Sequence, residues 1–258
     1  MQHANGANLY YEIHGSGAPL VLIHGLGSSH LDWEHQVPDL AAGYRVLALD
    51  LRGHGRSDKP AGQYSIALFA GDVAALMQAQ GFAGAHVVGL SLGGAIAFQL
   101  ALDHPQLVKT LVIVNSGPHA VMETFAQKFA IRMRFAVLRV FGLPRLGRMV
   151  VAKLFPEPGD EVLRRTFVER FERNDVEAYK SSLRALVGWS VMGRLGEIRC
   201  PLLALTADQD YSPVAYKQAY VDRVAGARLV VVPDSHHALP MEKPQAFNRA
   251  LREFLATA

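Results

Sequence analysis

The sequence predicts an α/β protein: a mostly parallel, doubly wound sheet with a helical cap inserted between two of its strands. Two patterns and one length predict it. Short, continuously apolar runs recur along the chain with helix-length segments between them, and unbroken apolarity marks strands buried on both faces, as in a parallel sheet. A long stretch, residues 118–196, breaks that alternation. Finally, 258 residues lie near the upper end of what one hydrophobic core supports, so one domain with a sizeable insertion is the natural reading.

Taken in order, residues 8–13 and the turn Gly15-Ser16-Gly17 suggest an antiparallel hairpin leading into the sheet. Strands are expected at 20–23, 45–49, 86–90, 107–114, 202–206 and 228–232. Helices are expected at 65–80, 92–103, 214–224 and 244–256, where apolar residues recur at three- and four-residue spacing. Alternating βα units of this kind build a doubly wound sheet. Between 118 and 196 no convincing strand occurs; Phe, Leu, Val, Met and Arg recur at helical intervals, with Pro144, Pro156 and Pro158 as breakers. Residues 1–117 and 197–258 are therefore expected to form the core, and 118–196 the cap.

Charge excludes some classes of function. The formal net charge is only +3 and no block of five or more basic residues occurs, so no nucleic-acid footprint is indicated. The cap carries 14 Lys and Arg against 8 Asp and Glu, the remainder 12 against 15. Solvated arginine faces on amphipathic helices account for a basic cap; attraction of anionic substrates to the mouth of a site is the alternative. No charged start followed by an apolar stretch opens the chain, so a cytoplasmic location is the default expectation. The apolar stretch 87–102 is interrupted by Gly89, Ser91, Gly93, Gly94 and Gln99 and is short for a bilayer, so no membrane partner is expected. Cys200, the single cysteine, precedes an apolar run and reads as a small core residue. No Cys/His cluster has metal-ligand spacing, and no metal or organic cofactor is implied.

The strongest local signal is Gly89-Leu90-Ser91-Leu92-Gly93, a G-x-S-x-G pattern that follows an apolar strand run and opens a helix. The pattern alone arises by chance in about one chain in ten of this length, so context decides. A serine on a sharp strand-to-helix turn needs a strained backbone, and glycines on either side remove side chains that would collide there. The turn exposes the hydroxyl, and the helix N-terminus offers N–H groups to developing negative charge.

The motifs His24-Gly25-Leu26-Gly27, Asp50-Leu51-Arg52-Gly53-His54-Gly55-Arg56-Ser57, Gly89-Leu90-Ser91-Leu92-Gly93-Gly94 and the segment 234–244 occur in the order and spacing of the α/β-hydrolase superfamily, which the chain resembles at both ends. Within it the chain looks most like small, cofactor-free bacterial esterases, enol-lactonases and perhydrolase-type haloperoxidases. The resemblance implies an α/β-hydrolase fold and a triad in chain order Ser91, Asp210, His237. The family's catalytic histidine precedes a Glu by five residues and a Pro by seven; counting back from Glu242 and Pro244 gives His237, with His236 the rival where the family commonly has Gly. The loop Thr206-Ala207-Asp208-Gln209-Asp210 resembles the family's G-x-x-D loop, Ala207 replacing Gly; Asp210 matches the acid and Asp208 is its rival. Some relatives place the acid after the sixth strand, where Val114-Asn115-Ser116-Gly117 offers no carboxylate. The oxyanion donors implied are the backbone N–H groups of Leu92 and Leu26. His24 is expected to brace its turn, and the loop 50–57 to tie other loops together.

The resemblance implies acyl transfer from an ester or lactone, a small-molecule substrate, by way of an acyl-enzyme on Ser91. A serine nucleophile argues against the epoxide-hydrolase and haloalkane-dehalogenase branches, which use aspartate. Carbon–carbon bond hydrolysis of a ring-cleavage diketone, a slow-turnover ligand receptor and a noncatalytic interaction protein are the other readings. Trp189 and Met192, with apolar residues of 125–141, are candidates to face the substrate or to pack the core. A monomer and a homo-oligomer are equally open.

Overall fold

The computed structural model of the chain describes residues 1–257. Strands β1 (Gln2–Ala4) and β2 (Ala7–Leu9) form a separate hairpin. Its turn residues, Asn5 and Gly6, both have positive φ (45° and 78°), the conformation that makes Asn-Gly a two-residue hairpin turn. The main sheet comprises β3 (Tyr11–His14), β4 (Ala18–Ile23), β5 (Tyr44–Leu49), β6 (Ala85–Leu90), β7 (Val108–Val114), β8 (Leu202–Ala207) and β9 (Arg228–Val232). Their spatial order is β3-β5-β4-β6-β7-β8-β9, with β3 antiparallel to β5 and every other pair parallel. The hairpin expected across Gly15-Ser16-Gly17 is thus not formed. β3 lies on the far side of β5, and the turn joins two strands that do not touch.

Alternate residues of each strand enter opposite layers, as the two-residue period of a pleat requires. Val21, Ile23, Leu47, Leu49 and Val87 join one buried cluster, with Phe69 and Phe98 from the helices on that face; Leu20, Leu22, Val46, Ala48 and Val88 join the other, with Trp33 and Phe247. Every residue of β6 is buried. β9 departs from the expectation of a doubly buried strand: as the sheet's edge it leaves Val230 and Val231 exposed.

The helices of the sheet layers are α1 (Val37–Leu40), α2 (Ile66–Ala79) and α3 (Leu92–Asp103). Between β7 and β8 the chain runs through α4 (Phe125–Leu154), α5 (Glu161–Glu172) and α6 (Val176–Leu186), closed at the base by a bridge between His119 and Ser190. α4 opens on a capping box, Thr124 with Gln127, which satisfies two of the helix's orphan donors. It bends at Gly142 (φ 68°) rather than at Pro144; Pro144 sits in the first turn of the second segment, where its missing N–H costs nothing. The chain ends with α7 (Val214–Val221), α8 (Leu239–Glu242) and α9 (Pro244–Leu255). Among the described residues no helix is long and apolar enough to cross a membrane.

The parallel register sets the position of the site. Ile23 pairs with Gly89, Leu90 with Val114 and Val114 with Leu205, so β4, β6, β7 and β8 finish side by side. The loops that follow them therefore emerge at one edge of the sheet, the edge at which open α/β sheets bind ligands.

Candidate active site

Ser91 is the hinge between β6 and α3, with φ 54° and ψ −112°. A non-glycine backbone held in so sparsely populated a region costs about 1–3 kcal/mol. The surroundings enforce it: Ser91 N donates to Val114 O (3.0 Å), and Ser116 Oγ donates to Ser91 O (2.7 Å). A Cβ on Gly89 would lie 2.2 Å from Gly93 O, and one on Gly93 would lie 2.2 Å from Ile23 O. Both glycines are there because backbone passes against backbone. Leu92, the first residue of α3, has an N–H without an intrahelical acceptor.

The turn after β4 lies against this hinge, since a Cβ on Gly25 would be 3.6 Å from Ser91 Cβ. Its shape is fixed by the buried His24, whose Nδ1 lies 2.7 Å from Gly25 O while Leu51 N donates to Nε2 (3.0 Å). Accepting at Nε2 assigns the proton to Nδ1, and burial pushes ionisation of the ring down. His24 is a brace. Leu26 follows it, packed between the sheet layer and the cap. In the next loop Asp50 accepts from His30 N (2.7 Å), His30 Nδ1 (2.7 Å) and Arg56 N (2.8 Å), while Arg52 forms a buried pair with Asp72. These groups stitch loops together.

His237 Nδ1 and Asp210 Oδ1 are 2.5 Å apart, and the carboxylate is wholly buried. Burial alone would raise the Asp210 carboxyl, but the His237 hydrogen bond and the Lys217 ammonium reverse the effect and hold it well below the usual carboxylate range. With Nδ1–H donating to Asp210, Nε2 of the neutral imidazole carries the free lone pair. Tyr211 stacks on the imidazole, with ring centroids 4.2 Å apart and planes 18° from parallel. His236 turns the other way: its N and Nδ1 meet Glu242 at 2.6 and 2.7 Å, and the ring is buried. Asp208 accepts from Asp234 N and Ser235 N, both at 3.1 Å; it shapes the histidine loop.

Asn115 connects these parts. Its Nδ2 donates to His236 O (3.1 Å) and His237 O (2.9 Å), and its Oδ1 accepts from Thr206 Oγ1 (3.0 Å) and Ala207 N (2.8 Å). One side chain thus joins the ends of β7 and β8 to the histidine loop, next to the Ser116 hydroxyl that holds Ser91. No hydrogen bond between the Ser91 hydroxyl and His237 is formed among the described residues. In unliganded hydrolytic sites such bonds are often long and close only around substrate.

The cap seats on the turn after β4: a Cβ on Gly27 would meet the Phe171 ring at 2.6 Å and the Tyr179 ring at 2.9 Å. Ala238 and Met241, just beyond His237, join the cluster formed by these rings. Trp189 and Met192 pack against the sheet-layer cluster that contains Phe98, the Trp189 indole N–H donating to Gln99 Oε1 of α3 at 2.9 Å. In the stretch 125–141, Phe125, Phe129, Met133, Val140 and Phe141 are exposed, while Val137 and Leu138 are buried within the cap. The burial around Cys200 pushes its thiol up to about 11, so the thiolate that reacts is scarce. Among the described residues no group of three or more His, Cys, Asp or Glu could hold a metal ion.

Sequence reading missed Asn115, Tyr211 and Lys217. Lys217 left a signal: it falls three residues before Tyr220 and four before Val221, in the stripe where α7 should be apolar.

Comparison with known proteins matches residues 18–244 to a family described as alpha/beta hydrolase fold. A protein of Azorhizobium caulinodans, provisionally named the carbamate hydrolase RutD, is 32% identical over 98% of this chain and 96% of its own length. Among solved structures, the enol-lactonase of Burkholderia xenovorans superposes with a TM-score of 0.90 at 29% identity, covering 98% of both chains. A thermophilic esterase of Thermogutta terrifontis superposes with a TM-score of 0.87 at 25% identity, over 96% of this chain and 93% of its own.

Proposed function

The chain belongs to the α/β-hydrolase fold family and is a hydrolase, and from that premise we propose that it cleaves carboxylic esters or lactones through an acyl-enzyme on Ser91. The observation that carries this reading is the pairing of His237 Nδ1 with the buried Asp210 carboxylate, on a loop held by Asn115 next to the Ser116 hydroxyl that holds Ser91. That pairing leaves Nε2 of His237 as the base. Nε2 takes the Ser91 proton as Oγ attacks the carbonyl, and the oxyanion accepts from Leu26 N–H and Leu92 N–H. The leaving alcohol departs with the proton from Nε2; water, deprotonated in turn by His237, releases the acid. The fixed negative charge of Asp210 stabilises the imidazolium formed in each step.

A carbamate carbonyl could enter the same sequence, and the 32% identity over nearly the whole chain to a protein provisionally named a carbamate hydrolase favours including it. The test is a hydrolysis screen of p-nitrophenyl esters of increasing length, lactones, p-nitrophenyl carbamates and a ring-cleavage diketone, with mass spectrometry of the trapped intermediate. An acyl adduct on Ser91 with ester or lactone turnover is the expected outcome. Turnover confined to the diketone, or no adduct at Ser91, overturns the reading.

A further inference from the structure

A second charged group lies behind the carboxylate. Lys217, on α7, is 1% exposed. Lysine is almost never buried to this extent unless paired. Its Nζ lies 2.5 Å from Asp210 Oδ2 and 2.8 Å from Ser212 Oγ, and it also reaches Ser212 O. The three N–H donors of an ammonium thus have three acceptors. Ser212 Oγ in turn donates to the same Asp210 oxygen at 3.0 Å. One carboxylate oxygen serves His237, and the other is fully committed to the lysine and serine.

The geometry points to Lys217 as a positioning residue of the proton relay: it clamps the outer oxygen of Asp210 so that the inner one stays on His237, and it offsets the carboxylate's charge, which sets the acid limit of activity. This rests on the triad reading above. With the imidazole neutral, His237, Asp210 and Lys217 sum to zero; protonating the imidazole leaves a net positive charge in a largely enclosed cluster. Removing the ammonium would leave the imidazolium facing an uncompensated carboxylate, which favours the protonated, inactive base. Lys217 therefore keeps the base free at lower pH. The other groups around the His237 loop are common to all the variants below. They are Tyr211 stacked on the ring, Arg134 and Tyr179 from the cap, His236 paired with Glu242, and Asp208 under the loop. The phenol of Tyr220, whose ionisation burial and Asp210 both push up, is neutral on the same side.

The experiment is the pH dependence of kcat and kcat/KM for p-nitrophenyl acetate between about pH 5 and 9, on wild type, Lys217→Met, Lys217→Gln and Lys217→Arg, each first shown to be folded by near-UV circular dichroism. Lys217→Met should lose at least about tenfold in kcat with little change in KM, and its acid half-activity point should move up by about one pH unit. Lys217→Gln, which keeps hydrogen-bonding capacity but no charge, should show the same shift with a smaller loss in kcat. It carries the test alone if Lys217→Met does not fold. Lys217→Arg should hold the acid limb near its wild-type position. An acid limb that stays put in the neutral variants, whatever happens to kcat, reduces Lys217 to packing and overturns the assignment. An equal shift in Lys217→Arg overturns it too. Failure of the underlying reading looks different: Ser91→Ala would then hydrolyse the ester as fast as wild type.

Discussion

The sheet layers and the cap are held together by different means. Around the sheet, buried polar groups are tied at both ends: Asp50 to three donors, Arg52 to Asp72, Asn115 to four groups on two other segments, and Asp210 between His237 and Lys217. The cap relies on aromatic packing, a chain of rings from Phe155 through Phe167 and Phe171 to Tyr179. It also carries nine of the fourteen exposed large hydrophobic side chains among the described residues, and α4 has seven Lys and Arg with no Asp or Glu. Hydrogen-bonded networks tolerate little change, because each removed partner strands another. Exposed side chains tolerate much. The contrast teaches that the candidate site groups are held by hydrogen-bonded networks around the sheet while the outer surface of the cap is held by few contacts, and substitutions in the two regions should differ accordingly.

The largest difference is expected at the hinge. Ser91→Ala should leave the fold intact and lower ester turnover by about four to six orders of magnitude, by analogy with other triad knockouts. Steady-state rates on purified protein measure it. Retention of a tenth of the activity would remove Ser91 from its role and blur the distinction between a reactive sheet edge and a passive cap.

Asn115 comes next, where stability and chemistry meet. Asn115→Ala would strand the His236 and His237 carbonyls and the Ala207 N–H, and would put alanine at φ 44°. Each buried group left unpaired costs about 1–3 kcal/mol. The variant should lose about 3 kcal/mol or more in urea unfolding, and about a hundredfold in kcat from the displaced histidine loop. Unchanged stability together with unchanged kcat would show that the loops hold their places without the hub.

Asn115 also marks where sequence reading runs out. The sequence shows there only that no carboxylate is present, and an amide joining three segments leaves no local pattern. Strands buried on both faces were legible within a residue or two, because continuous apolar runs are what such strands require. The first hairpin was misplaced: the signal was in Asn5-Gly6, and the partner of β3 lies more than thirty residues away in β5, beyond the reach of any spacing rule. Ser91, Asp210 and His237 came from motif order. Lys217 was hidden because a charged residue in an apolar stripe reads as an irregularity until the structure shows the carboxylate it meets.

Acid should separate the two regions thermodynamically. His54 is buried, and burial first, then the neighbouring His24, pushes it down to about 3; burial likewise pushes His86 down to about 4. In the unfolded chain a histidine takes up its proton near about pH 6.5. Between that value and the folded ones the unfolded state binds more protons, so stability falls as pH falls. His54 alone should cost about 2 kcal/mol between pH 7.5 and 5, and His86 adds in the same direction. Both belong to the sheet layers, whereas the only histidine in 118–196 is His119. Urea unfolding at the two pH values should show the loss in wild type and a smaller one in His54→Gln. An equal loss in both would move the acid sensitivity elsewhere.

The smallest effect belongs on the outer face of α4. Phe125 and Phe129 stack on one another in solvent, 80% and 53% exposed, although the sequence admits apolar residues of this stretch as candidates to face the substrate or to pack the core. Replacing either by serine removes a contact that water already surrounds, so stability should change by no more than about 0.5 kcal/mol. Rates on p-nitrophenyl acetate should not change either, since Gly27, Tyr179 and Phe171, not these two rings, join the cap to the turn after β4. Longer esters are the sharper probe. If KM for p-nitrophenyl decanoate rose several-fold in Phe125→Ser while that for acetate stayed fixed, the exposed rings would be part of the substrate surface, and the cap would act in recognition through the very residues that its packing leaves free.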